Sequence, residues 1–125
     1  MPVQLNHTIV WCHDNKASSS FLADMLRRPA PKAFGHFQVV DLDNGVSMDF
    51  MIKSGEIARQ HYAFLVGEAE FDAVFARIKE HGLTYWADPA KAYANQINTH
   101  DGGRGLYFED PDGHFLEIIT RPYGE

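Results

Sequence analysis

"NGVSMDFM" at residues 44–51 and "DGHFLEII" at residues 112–119 follow one pattern, a turn glycine and then an apolar strand with a single carboxylate inside it. An offset of 68 residues lays Gly45 on Gly113 and Asp49 on Glu117. A second offset, of 54, lays His7 on His61, each in the first strand segment of its half. The difference of 14 residues is a longer insertion in the second half, most simply in the polar, Gly-rich excursion around residues 87–104. Self-similarity at a fixed spacing is the mark of a repeated supersecondary unit. It also sharpens a question of cost. Glu117 lies among Phe115, Leu116, Ile118 and Ile119, where a buried, unpartnered carboxylate would cost on the order of several kcal/mol.

Working outward from these strands, the same order of elements occurs twice. Residues 5–12 alternate, with Leu5, His7, Ile9 and Trp11 on one face and Asn6, Thr8 and Val10 on the other, as in a strand. "SSSFLADMLRRP" reads as a short helix with serine N-caps, apolar Phe21, Leu22, Met25 and Leu26, arginines in its last turn and Pro29 as its stop. Residues 30–35 read as a Pro/Gly-marked loop, and residues 36–52 as two strands joined around Asp43-Asn44-Gly45. After a polar connector, residues 61–66 are a strand and residues 70–82 a helix with Phe71, Val74, Phe75 and Ile78 on one stripe and Gly82 at its end. "LTYWAD" is a short strand candidate, and "GLYFED" and "HFLEIIT" close the chain as a pair joined by Pro111-Asp112-Gly113. The expected domain is a single one over residues 1–125, with module one at about 1–55 and module two at about 58–125.

The composition narrows the classes of function. A chain of 125 residues with 45% hydrophobic and 13% aromatic residues is one ordinary folding domain, able to bury roughly two-thirds of its unfolded surface. A net charge of -6 argues against nucleic acid or an anionic membrane as partner. Cys12 is the only cysteine, so no internal disulfide and no thiolate zinc knot can form. The N-terminus shows no signal-peptide pattern and no run approaches the ~20 apolar residues of a membrane span, so the expectation is a cytoplasmic protein acting on a small molecule.

Two copies of a unit related by a pseudo-twofold axis bring equivalent positions together near that axis. His7, His61, Asp49 and Glu117 are then expected to converge. Imidazoles and carboxylates suit Mn, Fe, Ni, Zn or Co, and two histidines with one carboxylate leave positions open for substrate. A carboxylate bound to a divalent cation also no longer carries the desolvation cost of an isolated charge. Asp49, one methylene shorter than a glutamate, is the weaker ligand of the four. A histidine on a strand is in general more often a surface or core group than a ligand. The paired register is what sets His7 and His61 apart from His13 and His81, which read as solvent-facing, and from His114, which reads as a rim or structural residue. Trp11, Tyr62, Tyr85, Trp86 and Tyr93 read as core or rim aromatics.

These residues resemble the vicinal oxygen chelate superfamily, which contains glyoxalase I, fosfomycin-resistance thiol transferases, bleomycin-resistance proteins and extradiol dioxygenases. The resemblance covers essentially the whole chain. It implies an α+β fold of two βαβββ modules forming a metal-binding cup, commonly as a homodimer. It also implies metal ligands at His7, His61 and Glu117, with Asp49 in the place of the fourth glyoxalase ligand. "NTHDGGRGLYFEDPDGHFLE" at residues 98–117 is similar to the extradiol dioxygenase pattern through His100, Leu106, Tyr107, Asp110, Pro111, Gly113 and Glu117. By that resemblance Tyr107 and His100 are catalytic, contacting substrate; Arg104 or Asn98 is expected to be substrate-binding, neutralising the substrate's charge. His36, opening a strand of module one, is a further active-site histidine candidate.

The implied cofactor is a divalent metal: Fe(II) or Mn(II) for an oxygenase, Ni(II), Zn(II) or Mn(II) for a glyoxalase or transferase. Length points away from the two-domain extradiol enzymes and toward the single-domain members. The readings are therefore a metal-dependent enzyme binding vicinal substrate oxygens, a glyoxalase-type lyase or isomerase or thiol transferase, and, in another class, a non-catalytic drug-binding resistance protein.

Overall fold

Strand, helix and three strands follow one another twice in the computed structural model, which describes residues 2–123. The chain divides at Ala58/Arg59 into two compact units. Unit one contains β1 (His7–Cys12), α1 (Asn15–Met25), β2 (Lys32–Phe34), β3 (Phe37–Asp41) and β4 (Ser47–Ile52). Unit two contains β5 (His61–Leu65), α2 (Glu68–Glu80), β6 (Tyr85–Trp86), β7 (Gly105–Glu109) and β8 (Phe115–Ile119). The sheets have the orders β1-β4-β3-β2 and β5-β8-β7-β6. In each, the first strand lies parallel to the last and the remaining pairs are antiparallel. Parallel neighbours need a crossover connection, which the helix and two intervening strands supply.

The pairing register reproduces the repeat residue by residue. His7 lies opposite Ser47 and Ile9 opposite Asp49; His61 lies opposite Phe115 and Ala63 opposite Glu117. On the neighbouring strands Val39 faces Asp49 and Tyr107 faces Glu117. Lys32 is paired with Val39, and Trp86 with Tyr107. The 54-residue offset thus holds through β6 and the 68-residue offset holds from β7 onward, so the extra 14 residues lie between β6 and β7.

Alternation then sorts each sheet into two faces. In unit one, Val10 and Cys12 of β1, Val40 of β3 and Met48 and Phe50 of β4 are buried, together with Leu22, Ala23 and Met25 of α1, which packs on β1, β3 and β4. In unit two, Leu106, Phe108, Leu116 and Ile118 are buried, as are Phe71, Val74 and Ile78 of α2. His7, Asp49, His61, Tyr107 and Glu117 fall in the other alternation of their strands.

Several local expectations are corrected. The first helix starts at Asn15, because the Asp14 carboxylate caps it by accepting from the Lys16 and Ala17 amides. Ser18 and Ser19 are buried inside that helix. Arg27 and Arg28 lie beyond its end, Arg27 at φ 55 in the left-handed conformation that stops it. The Pro/Gly-marked stretch 30–35 contains β2, which is exposed along its length and is held by pairing with β3. The two strand turns are equivalent: Gly45 at φ 80 and Gly113 at φ 85 each occupy a conformation that side-chain-bearing residues rarely adopt.

His114 is fully buried rather than at a rim. Its Nδ1 accepts from the Gln60 amide at 3.0 Å, and its own amide donates to Asp110 at 2.8 Å. No helix among the described residues is long and apolar enough to cross a membrane.

Candidate functional site

In unit two, β5 and β8 set His61 beside Glu117. The His61 Nδ1 lies 3.0 Å from the Phe115 carbonyl oxygen, a group that can only accept, so Nδ1 carries a proton and donates it. Nε2 lies 3.1 Å from the Glu117 Oε1. Glu117 is 1% exposed. A ring nitrogen lone pair and a carboxylate oxygen at that distance repel unless a proton, carried by either partner, or a metal ion bridges them.

The other carboxylate oxygen, Oε2, accepts from the Tyr123 hydroxyl. A hydroxyl has one proton, so the 3.2 Å contact between the Tyr107 and Tyr123 hydroxyls has Tyr107 as donor. The resulting chain runs from Tyr107 through Tyr123 to Glu117 and on to His61. Both phenols are pushed above the ordinary tyrosine range. Loss of water around the hydroxyl is the leading cause in each, followed for Tyr123 by its hydrogen bond to Glu117. The Glu117 charge also raises Tyr107, against a lowering by the hydrogen bond with Tyr123. Both are therefore hydrogen-bond donors at neutral pH.

An aromatic wall adjoins this chain. Tyr107 stacks on Phe115 with ring centroids 5.2 Å apart and on His61 at 5.9 Å, and Trp86 packs against Phe115 at 5.9 Å. Lys91, from the long excursion, lies over the Trp86 ring and pairs with Glu109 at 3.2 Å.

Unit one has the same framework with other substituents. The His7 Nδ1 is 2.7 Å from the Asn6 Oδ1, again an acceptor, and Asp49 accepts from the Ser47 hydroxyl at 2.8 Å. His7, Ile9, Ser47 and Asp49 share one sheet face by register. They line a hollow of about 510 Å³ with Lys32, Phe34, Phe37 and Val39. Its apolar members are left open: Ile9 is 39% and Phe34 75% exposed.

These observations test the chemistry expected of the ligand residues. In His7 and His61 alike, Nδ1 is given to an oxygen acceptor, which leaves Nε2 as the nitrogen for a metal and fixes its direction. The donor set fits a divalent ion of the borderline class. Among the described residues, no three His, Cys, Asp or Glu side chains form one group able to hold a metal. The structure brings together the pair His61–Glu117 in unit two, while unit one carries His7 and Asp49.

The remaining predicted residues divide. His100 is exposed in a 3₁₀ turn, His100–Gly102, whose Asp101 has φ 57. Asn98 ties the excursion together, donating from its side chain to the Ala87 carbonyl at 2.9 Å and pairing its backbone with Gly105. Arg104 binds Glu68 and Asp72 in the first turns of α2, each at 2.8 Å. Its guanidinium also lies over the Phe71 ring. The contacts of Asn98 and Arg104 are structural and lend no support to a substrate-binding role. His36 supplies its carbonyl to the Asn15 side chain. Tyr123 was not foreseen: it follows the last strand, outside any periodic segment, and its only trace in the sequence is a tyrosine just beyond the final strand.

Framework and side chains together define the class. The chain belongs to the Glyoxalase/Bleomycin resistance protein/Dioxygenase superfamily, whose pattern matches residues 4–118. Within it, the chain is similar over its whole length to two solved structures. Oxidase ChaP-H1 is 60% identical over 99% of this chain and 100% of that one, with a TM-score of 0.97. Oxidase ChaP-H2 is 58% identical over 100% of this chain and 98% of that one, with a TM-score of 0.98. Metallothiol transferase FosB of Shouchella clausii (strain KSM-K16) is 38% identical over 65 residues, which are 52% of this chain but 40% of FosB.

Proposed function

We propose that this protein is a divalent-metal-dependent oxidase that uses dioxygen on a small molecule presenting two neighbouring oxygens. The observation that carries the reading is the buried Glu117 carboxylate facing the Nε2 of a histidine whose Nδ1 is already anchored. His61 and Glu117 would hold the ion with His7. Asp49, whose Oδ1 accepts from Ser47, is the weaker fourth group. Bound there, Fe(II) or Mn(II) would supply Lewis acidity and open positions for the substrate oxygens.

The chain's own residues do the rest. With substrate bound, the Tyr107 phenol turns its one proton from Tyr123 to a substrate oxygen, and the Trp86–Phe115–Tyr107 wall offers flat apolar surface to a planar substrate. His100, on the exposed turn of the excursion, contacts the substrate rim. Full-length likeness to two oxidases supports oxygen chemistry, as does the 98–117 pattern. With one cysteine in the chain, a reducing cytoplasm is its expected setting; the family resemblance adds a homodimer, which sedimentation would check.

The test is oxygen uptake by Fe(II)- or Mn(II)-loaded protein across a panel of catechols and polycyclic phenols. Uptake that vanishes in His61→Ala supports the proposal. The partial likeness to a metallothiol transferase favours a second reading, with Ni(II), Zn(II) or Mn(II). Formation of a thiol adduct without oxygen consumption would establish that one instead. Stabilisation of metal-free protein by a planar drug, with neither activity, would mark a non-catalytic binding protein.

A further inference from the structure

We propose that Tyr123 is a positioning residue for Glu117: its hydroxyl holds one carboxylate oxygen so that the other is presented to His61. The two oxygens of Glu117 are unequally used, Oε1 lying 3.1 Å from the His61 Nε2 and Oε2 accepting from Tyr123. A glutamate side chain has three rotatable bonds, and strand pairing engages only the backbone of residue 117, between Ala63 and Tyr107; the carboxylate itself is met by His61, Tyr123 and the neighbouring Tyr107 hydroxyl. At 1% exposure, the carboxylate is shut off from bulk water.

Core filling does not explain where Tyr123 sits. It lies beyond β8, after Pro122, and is 58% exposed, so its ring contributes little burial of its own. Its hydroxyl is nevertheless oriented from both sides, donating to Glu117 and accepting from Tyr107.

The repeat supplies an independent argument. In unit one the equivalent carboxylate, Asp49, receives a hydroxyl from Ser47, the residue opposite His7. The position opposite His61 is Phe115, which has no hydroxyl. Unit two therefore brings the same kind of donor from outside the sheet. Both units give their carboxylate a neutral hydroxyl donor, and in unit two Tyr123 holds Oε2 while Oε1 faces His61.

This inference rests on the metal reading only in the second arm of its test. In the first arm, metal-free protein labelled with ¹⁵N-histidine is compared with Tyr123→Phe. The His61 Nε2 resonance should shift while that of His114, buried in the same unit, stays in place. An unmoved His61 signal, or equal movement of His114, would overturn the proposal. In the second arm Mn(II) is titrated into both proteins, and Tyr123→Phe should bind about tenfold more weakly, the scale usual for groups that orient metal ligands. Equal or tighter binding would overturn the proposal, tighter binding showing that the hydroxyl competes for the carboxylate. If the unsubstituted protein takes up no Mn(II), the metal reading fails, and the imidazole signal still decides the role of Tyr123.

Discussion

Position for position, unit one and unit two pair their strands alike, yet Asp49 and Glu117 have different surroundings. Asp49 is half-buried, bonded to Ser47 and set in a hollow with Phe34, Phe37 and Val39. Glu117 is buried, faces His61, and is reached by Tyr123. The residue across the sheet from each carboxylate changes from Val39 to Tyr107, and Lys32 in one unit stands where the other has Trp86. A duplicated framework fixes where side chains start, and a few substitutions at equivalent places bury Glu117 among polar and aromatic partners while leaving Asp49 half-buried in an open hollow.

The largest expected effect is the asymmetry of the two carboxylates. Glu117→Ala should abolish metal uptake and lower turnover by about a hundredfold or more, since direct ligands outweigh their supporting groups. Asp49→Ala should change metal affinity by less than about tenfold. Metal titration and steady-state rates on both variants measure the contrast, and equal losses would erase it. Next in size, Tyr107→Phe should lower kcat by roughly ten- to a hundredfold, the range for removing one oriented donor. Val39→Ala, at the equivalent place, should act on KM instead.

The histidine and carboxylate positions were legible in the sequence because strand alternation and the Gly45 and Gly113 turns fix register. That register also located the 14-residue insertion correctly. What was not legible depends on chain path rather than on period. Tyr123 reaches Glu117 from beyond the last strand. The partners of Arg104, Glu68 and Asp72, lie 36 and 32 residues away, which no local pattern shows. β2 forms in a Pro-marked stretch because β3 offers it an edge, and α1 starts early because Asp14 outcompetes the serines as a cap. Arg104 read alone suggests an anion site; its ion pairs give it a structural use.

Smaller effects lie in the two turns. Asp110 accepts from the Asp112 and His114 amides, whereas the equivalent residue in unit one is Leu42, which makes the turn with backbone bonds alone. Asp110→Ala should cost about 1–3 kcal/mol by leaving those amides without their acceptor. Burial raises the Asp110 carboxyl above its ordinary range. The folded state then binds that proton more tightly than the unfolded chain. Its contribution to stability is therefore greatest below the unfolded value of about 3.9 and is lost as pH rises through the folded value. Asp110→Asn keeps an acceptor oxygen without the charge, so its stability relative to the parent should improve from acid to neutral pH in denaturant melts. Smallest, Gly113→Ala and Gly45→Ala should each cost about 1–2 kcal/mol for the left-handed conformation. Gly113→Ala should cost somewhat more, because its new Cβ would lie 3.1 Å from the Arg59 side chain.

The most direct test of the account is the metal content of protein reconstituted anaerobically with Fe(II) or Mn(II), measured by plasma mass spectrometry for the parent, Glu117→Ala and Asp49→Ala. About one ion per chain is expected in the parent, near none in Glu117→Ala and nearly full occupancy in Asp49→Ala. Equal occupancy in the parent and Glu117→Ala, or none in the parent, would contradict it.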